Sequence, residues 1–417
     1  MSQHSPSTIL ARILSSRDHH DLFHDLCRCG GRLTQSPGEL AARGLLENWL
    51  TARGFAVARV PFRFPGWRLQ HHALALEAPG ETLPAWPLVG SSSGDLTLPV
   101  VDVGRGTAAD FERVGAVLPG ALALVRHEYM FAPDTIHRRH KVAEARARGA
   151  AALAVAGPLP GQVPLAGAIG GGEGTLPGVA VALEGGRRLA QAARAGEKVH
   201  LTIAAETPPF EAYNLVVYIG GQGPERVVLS AHLDGHAFGE SAMDNASGVA
   251  AALGAFAALA PEVAHWRRGV RLCLFTAEEW GLTGSARYLE TLGAAERQHL
   301  VLNVNLDSVA GSPHLTVLTS GFAQLGPFLR GACEPMGIPL GVYEPPMANS
   351  DHINFARHGI PAARLVAGFD RLDSDLRFVL TAADTRDKVP LGELTQAALA
   401  AAAMVVQGAT AAALPAA

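Results

Sequence analysis

Four short clusters of histidine and acidic residues carry the chemistry: His232-Leu233-Asp234, Asp244-Asn245-Ala246-Ser247-Gly248, Ala277-Glu278-Glu279-Trp280-Gly281 and Asn305-Leu306-Asp307. A lone Asp at such a place is ordinarily a solvated turn or a helix cap. Four in a row, each at or just past an apolar run and flanked by small residues, point to a metal site. Histidine and aspartate two apart on an extended segment face the same side. His232 can then ligate a metal while Asp234 fixes its other ring nitrogen. The adjacent carboxylates of Glu278 and Glu279 repel each other, and a bound cation relieves that cost.

The elements that must position these clusters follow from residue 212 onward. Apolar runs predict strands at Asn214 to Ile219, Val227 to Leu229, Val270 to Phe275, Leu300 to Leu306, His314 to Leu318 and Ala362 to Val366. Helices are predicted between them, at Gly248 to Leu259, Gly284 to Thr291 and Phe322 to Met336. This alternation predicts an α/β fold: a mostly parallel mixed sheet with helices on both faces. Sites in such sheets form at the carboxyl ends of strands, where all four clusters fall. Upstream, residues 1 to about 55 read as helical, with Ser36-Pro37-Gly38-Glu39 as a helix start. Residues 64–96 read as loop-containing, with a strand near Leu74 to Leu76. Between about 97 and 205 short strands alternate with turns and two helices, which predicts a compact β-rich module. The expected division is therefore 1–95, 96–208 and 209–417.

Composition narrows the function classes. The 417 residues are 48% hydrophobic and 17% charged, enough for a sizeable core and too long for one typical domain. A net charge of -4 and a pI near 6.5 give no reason to expect nucleic acid or an acidic membrane surface as partner. Four cysteines imply no disulfide framework, and the spacing of Cys27 and Cys29 matches no standard zinc pattern. The polar start shows no signal peptide, and no apolar stretch is long enough to span a bilayer, so a cytoplasmic protein is expected. Gly90-Ser91-Ser92-Ser93-Gly94 fits the serine-hydrolase pattern but lacks a following helix. The loop Gly170 to Gly174 lacks the Lys-Ser/Thr of a phosphate-binding loop. A homodimer is a possible assembly.

The order and wording of the clusters resemble the M28 family of zinc aminopeptidases. The matching stretches are Ala231-His232-Leu233-Asp234, Met243 to Ala250, Phe275 to Ser285 and Asn303 to Asp307, with Ser350-Asp351-His352 and Gly359 to Ala362 further on. Residues 97–205 resemble a protease-associated (PA) domain. The resemblance implies a zinc exopeptidase fold binding one or two zinc ions, with Asp244 bridging, His232 and Asp307 completing one site and Glu279 belonging to the other. It also implies that Glu278 is the general base toward a metal-activated water and that Asp234 orients His232. The expected activity is hydrolysis of a peptide or small amide substrate. One position departs from the pattern: the histidine that should precede Thr381-Ala382-Ala383-Asp384-Thr385 is Leu380. His352 and Asp351 are then candidates either to support the ligands from outside or to replace the missing donor, with His127, His137 and His140 of the inserted module as further candidate replacements. The alternative function is an impaired or mononuclear homologue that acts as a binding protein or on a non-standard amide.

Overall fold

The computed structural model describes residues 6–78, 80–129, 131, 134–161, 164–169 and 175–415. The loop at Gly170 to Gly174 lies outside the described residues. In chain order the first elements are α1 (Pro6–Ser15), α2 (Asp18–Arg28), α3 (Pro37–Ala52) and β1 (Val57–Pro65). Then come β2 (Arg68–Leu76), β3 (Ala85–Pro87), β4 (Gly94–Gly104), α4 (Ala108–Val114), β5 (Leu122–Arg126), α5 (Arg138–Ala147), β6 (Ala152–Ala156), β7 (Gly178–Val181), α6 (Leu183–Ala195) and β8 (Lys198–Glu206). The last stretch holds β9 (Pro209–Ile219), β10 (Arg226–His232), α7 (Gly248–Leu259), β11 (Gly269–Phe275), α8 (Thr283–Thr291), α9 (Ala294–Gln298) and β12 (Leu300–Leu306). It ends with β13 (Leu315–Leu318), α10 (Leu325–Cys333), β14 (Leu340–Tyr343), α11 (His352–Arg357), β15 (Ala362–Ala367) and α12 (Leu391–Thr410).

The chain forms two compact units. One comprises Met1–Phe62, Glu211–Val379 and Ala383–Ala417; the other comprises Arg63–Phe210 and Leu380–Ala382. The first carries an eight-stranded sheet in the order β1-β9-β11-β10-β12-β15-β13-β14. Its centre is parallel: β10 pairs with β11 and β12, and β12 with β15. Strands β9 and β13 run antiparallel to their neighbours β11 and β15. All six residues of β10 beyond Arg226, and all of β11, are buried. Helices on both faces require that, and it explains why these strands are largely apolar on both faces in place of alternation. Helices α7 and α12 pack on β10 from one face, with α1 and α2 behind α7. On the other face Tyr288 and Leu289 of α8 and Phe355 of α11 close over Val228, Cys273 and Phe275.

Helix α3 starts as its sequence signature requires: the Ser36 side chain accepts the Glu39 N–H at 3.2 Å, with Pro37 in the first turn. Cys27 lies in the last turn of α2 and Cys29 caps it. Both thiols are free, and burial pushes Cys27 up to about 12.

The second unit is built on a seven-stranded sheet, β2-β8-β4-β5-β6-β7-β3, parallel from β4 to β7 and antiparallel at both edges. Residues 63–95 belong to it because β2 pairs with β8 along nearly its whole length and β3 pairs with β7. Its core, including Leu98, Leu122, Leu124, Val179, Leu189 and Leu201, is its own. Ser92 has no nucleophile geometry: its hydroxyl donates to the Thr175 carbonyl, and Gly94 opens strand β4 rather than a helix.

Candidate metal centre

His232 is the last residue of β10, and Asp307 follows β12 directly. Asp244 sits on the irregular segment that leads into α7, with an extended backbone (φ -114°, ψ 89°). These three come together. His232 Nε2 is 3.1 Å from Asp244 Oδ1 and 3.5 Å from Asp307 Oδ1, and one ligand atom from each lies within 4.8 Å of the others. The His232 ring nitrogens and Asp244 Oδ1 are buried without a hydrogen-bond partner. Buried polar atoms left in that state are costly unless something else satisfies them. A divalent cation among them does so, and an imidazole with two carboxylates is a donor set that zinc accepts. The Asp244 side chain is 12% exposed, so the group can be reached from solvent on that side.

A surrounding network fixes these three side chains. Asp234 Oδ1 lies 3.6 Å from His232 Nδ1. The same carboxylate accepts the Thr34 hydroxyl at 2.9 Å and the N–H groups of Glu278 and Glu279 at 3.2 and 3.3 Å. Ala277 makes that possible by taking a left-handed φ of 58°, and its own N–H reaches Thr34 Oγ1. Asp384 accepts the N–H groups of Met243 and Asp244 and pairs with His236 at 3.0 Å. Asn245 donates to the Leu306 carbonyl and accepts from Gly248 and Ser308, which binds the Asp244 segment to the end of β12. Arg364, on β15, holds Asp307 Oδ1 at 3.1 Å. Ser241, Ala277 and Ser308 are all non-glycine residues at positive φ, one beside each ligand-bearing loop. Each costs on the order of 1 kcal/mol or more, which the network must offset.

The electrostatics follow from burial and like charge. Burial pushes Glu278 up, Glu279, Asp307 and Asp351 push the same way, His232 opposes, and the carboxyl ends well above the usual range. Burial alone pulls His232 down, but Glu278, Asp307 and Asp234 outweigh it and hold its pKa well above 6.5. The charge that holds a proton on the imidazole would hold a metal cation in its place. Burial raises Asp307, yet Arg364 and His232 pull it well below the usual range.

Of the remaining sequence-predicted residues, those of the same unit fall around this group, and Leu380 belongs to the second unit. Glu278 and Glu279 occupy the turn after β11, both largely buried, and Glu279 is not one of the three converging residues. Asp351 is buried against Ser285, whose hydroxyl donates to Oδ1, and burial pushes it up to about 7. His352 opens α11; burial and then Arg364 depress it to about 3. Leu380 is 3% exposed, at φ 64°, and its carbonyl accepts the Ala166 N–H at 2.6 Å. Thr34, Arg364 and the role of Asp384 were not anticipated. The signal for Arg364 was present, since an arginine inside the apolar run Ala362–Ala367 must find a buried anion.

Residues 214–405 match the model of peptidase family M28. A probable leucine aminopeptidase 2 of Aspergillus fumigatus is 29% identical over 321 residues, covering 72% of this chain and 61% of its own length. Among solved structures, an aminopeptidase from Aneurinibacillus sp. strain AM-1 superposes with a TM-score of 0.74 at 25% identity, covering 97% of this chain and 96% of that one. The chain spans 50% to 61% of the length of the first curated relatives it matches. The cytoplasmic placement expected from the sequence does not stand. A relative in Mycobacterium tuberculosis, 30% identical over 292 residues (67% of this chain and 55% of its own length), is a probable lipoprotein aminopeptidase. A polar start is no guide to compartment in such company. Among the described residues one helical segment, Ala242–Leu259, is long and apolar enough to cross a membrane, but 83% of it is buried inside the protein, as a core helix is. Residues 214–405, which carry His232, Asp244, the Glu278-Glu279 pair and Asp307, are thus similar to peptidase family M28.

Proposed function

We propose that this protein is a zinc-dependent aminopeptidase, hydrolysing peptide or small amide substrates with Glu278 as general base. The observation that carries this reading is the convergence of His232, at the end of β10, Asp307, just after β12, and Asp244, ahead of α7, within the residues that match the M28 model. His232, Asp244 and Asp307 would hold the zinc. Bound there, zinc would supply Lewis acidity toward the scissile carbonyl and the attacking water. Glu278, buried and surrounded by carboxylates, is a stronger base than a solvated glutamate and can take a proton from water and pass it to the leaving amine. Asp234 has two tasks: it orients His232 and, by accepting the Glu278 and Glu279 N–H groups, fixes the turn that carries the base. For residues 96–208 we propose a PA-like module; the parallel strands β5, β6 and β7 with α5 support that reading.

The test is hydrolysis of a panel of aminoacyl 4-nitroanilides beside their N-acetylated counterparts. Release from the free amines only, abolished by a chelator and restored by zinc, is expected. Equal release from acetylated substrates would replace the aminopeptidase reading with a general amide hydrolase. No release by a zinc-loaded protein would favour the impaired, ligand-binding homologue that Leu380 suggests.

A further inference from the structure

We propose that Arg32 and Thr34 are positioning residues for the metal centre, strapping together the three segments that carry His232, Asp244 and Glu278. The proposal rests on the metallohydrolase reading and adds to the centre a stretch of chain outside residues 214–405. Arg32 is 1% exposed, and its guanidinium donates to main-chain carbonyls on two of those segments. Nε reaches the Leu233 carbonyl at 3.3 Å, one residue past His232. Nη1 and Nη2 reach the Glu240 and Ser241 carbonyls at 2.6 and 2.7 Å, just ahead of Asp244. Longer contacts from Nη1 to the Leu26 and Gly30 carbonyls, at 3.4 and 3.5 Å, complete the set. The Arg32 backbone is fixed to the same place: its N–H donates to the His236 carbonyl at 3.0 Å and its carbonyl accepts the Gly235 N–H at 2.9 Å. Two residues on, Thr34 reaches the third segment, donating to Asp234 and accepting the Ala277 N–H at 3.1 Å. A buried cation satisfied by carbonyls alone is costly, and an apolar side chain would serve stability as well or better. What the guanidinium supplies is a planar fork of donors that sets the spacing between the end of β10 and the Asp244 segment. It also holds the carbonyl of Ser241, whose φ of 45° is left-handed.

The test compares Arg32→Lys, Arg32→Gln and Thr34→Val in the full-length chain, with Arg268→Lys as control. Lysine keeps the charge but puts one nitrogen where the guanidinium has three. Arg268 is also buried and also donates to main-chain carbonyls, those of Gly408 and Ala411, but it lies ahead of β11, at the end of that strand away from Glu278. Zinc affinity is read by competition with a chromophoric chelator, and kcat and KM on an aminoacyl 4-nitroanilide at saturating zinc. Both Arg32 variants should bind zinc about 10–100-fold more weakly. A displacement of about 1 Å at a catalytic group costs up to about 10²-fold in rate, so their kcat should fall toward that value while KM stays in place. Thr34→Val should shift zinc affinity and kcat the same way, and it decides the matter alone should circular dichroism show Arg32→Lys unfolded. Arg268→Lys should lower the melting temperature only. Wild-type zinc affinity and kcat in Arg32→Lys, or in Thr34→Val, would overturn the strap and leave the metal reading standing. Equal losses in Arg268→Lys would trace the effect to general stability and overturn it too. No zinc bound by the wild type would overturn both the metallohydrolase reading and the proposal.

Discussion

At the scale of single residues, two carboxylates near the centre do different work because their surroundings differ. Glu278 points its chemistry at a proton; Asp234 spends all of its oxygen capacity on neighbours. Glu278→Gln keeps shape and hydrogen-bonding capacity but cannot accept a proton, so kcat should fall by about 10²–10⁴-fold. Zinc content and melting temperature should be unchanged, which steady-state kinetics with elemental analysis would check. Asp234→Asn leaves Glu278 intact but replaces acceptor lone pairs with N–H groups facing two backbone N–H donors and the Thr34 hydroxyl. The His232 ring then loses its orienting partner. Zinc affinity should weaken by about 10–100-fold, read by competition with a chromophoric chelator. A purely structural role for Asp234 would lower stability and leave that affinity alone.

Elements decide how close the loops that bear these residues can come. The α7 start is a tight approach: a Cβ on Gly248 would lie 2.2 Å from Asn245 Oδ1 and 2.5 Å from the Leu306 carbonyl. Gly248→Ala should therefore push α7 away from the end of β12 and carry the Asp244 segment with it. Both melting temperature and zinc affinity should drop, the latter by titration, whereas Gly44→Ala in α3, where a Cβ meets nothing, should change neither. Much of this level is readable in the sequence. The helix Gly248–Leu259 and the strands β10, β11 and β12 announce themselves as largely apolar runs, each beside a His or acidic cluster. Strand β14 does not: it is four residues long, contains Gly341 and pairs only at the rim with β13. Helix α4 was legible in principle, because Thr107 and Asp110 form a capping box three residues apart, but seven residues make a weak period. What sequence order hides is the network behind the ligands. Thr34 lies 200 residues from Asp234, Asp384 lies 141 from Met243 and Arg364 lies 57 from Asp307, so only the folded sheet reveals those pairs.

At the scale of the whole molecule, two units with separate cores should respond to different variables, and calorimetry can separate them. In the second unit the resolved shifts of acids and histidines share one direction. Burial depresses His127 and His72 below 6.5 and His137 to about 2. Asp102 and Glu128 are held below the usual carboxylate range: Arg126 does this for Asp102, while for Glu128 burial pulls upward and is overcome by His127, Lys141 and Arg105. For a group whose folded pKa is depressed, the unfolded chain binds the extra proton, so stability rises with pH across the interval between the two values. The stabilisation is therefore complete above about pH 6.5, erodes as the histidines' unfolded pKa is passed, and erodes further below about pH 4 as the carboxylates follow. In the first unit the shifts oppose one another. His19 is lowered to about 4, chiefly by burial, but Glu39, Glu278 and Asp351 are raised, also chiefly by burial, so no uniform slope is expected there. Zinc acts on the first unit alone, because all three donors belong to it. A ligand that binds only the folded state at 100 times its Kd adds about 2.7 kcal/mol. Scanning calorimetry of the full chain should thus show two transitions. Lowering the pH from 7 to 5 should move one down steadily, and a chelator at pH 7 should lower the other by several degrees without touching the first. If both variables shifted a single transition together, the two units would unfold as one cooperative body, and stability lost by removing the metal would be shared across the whole chain.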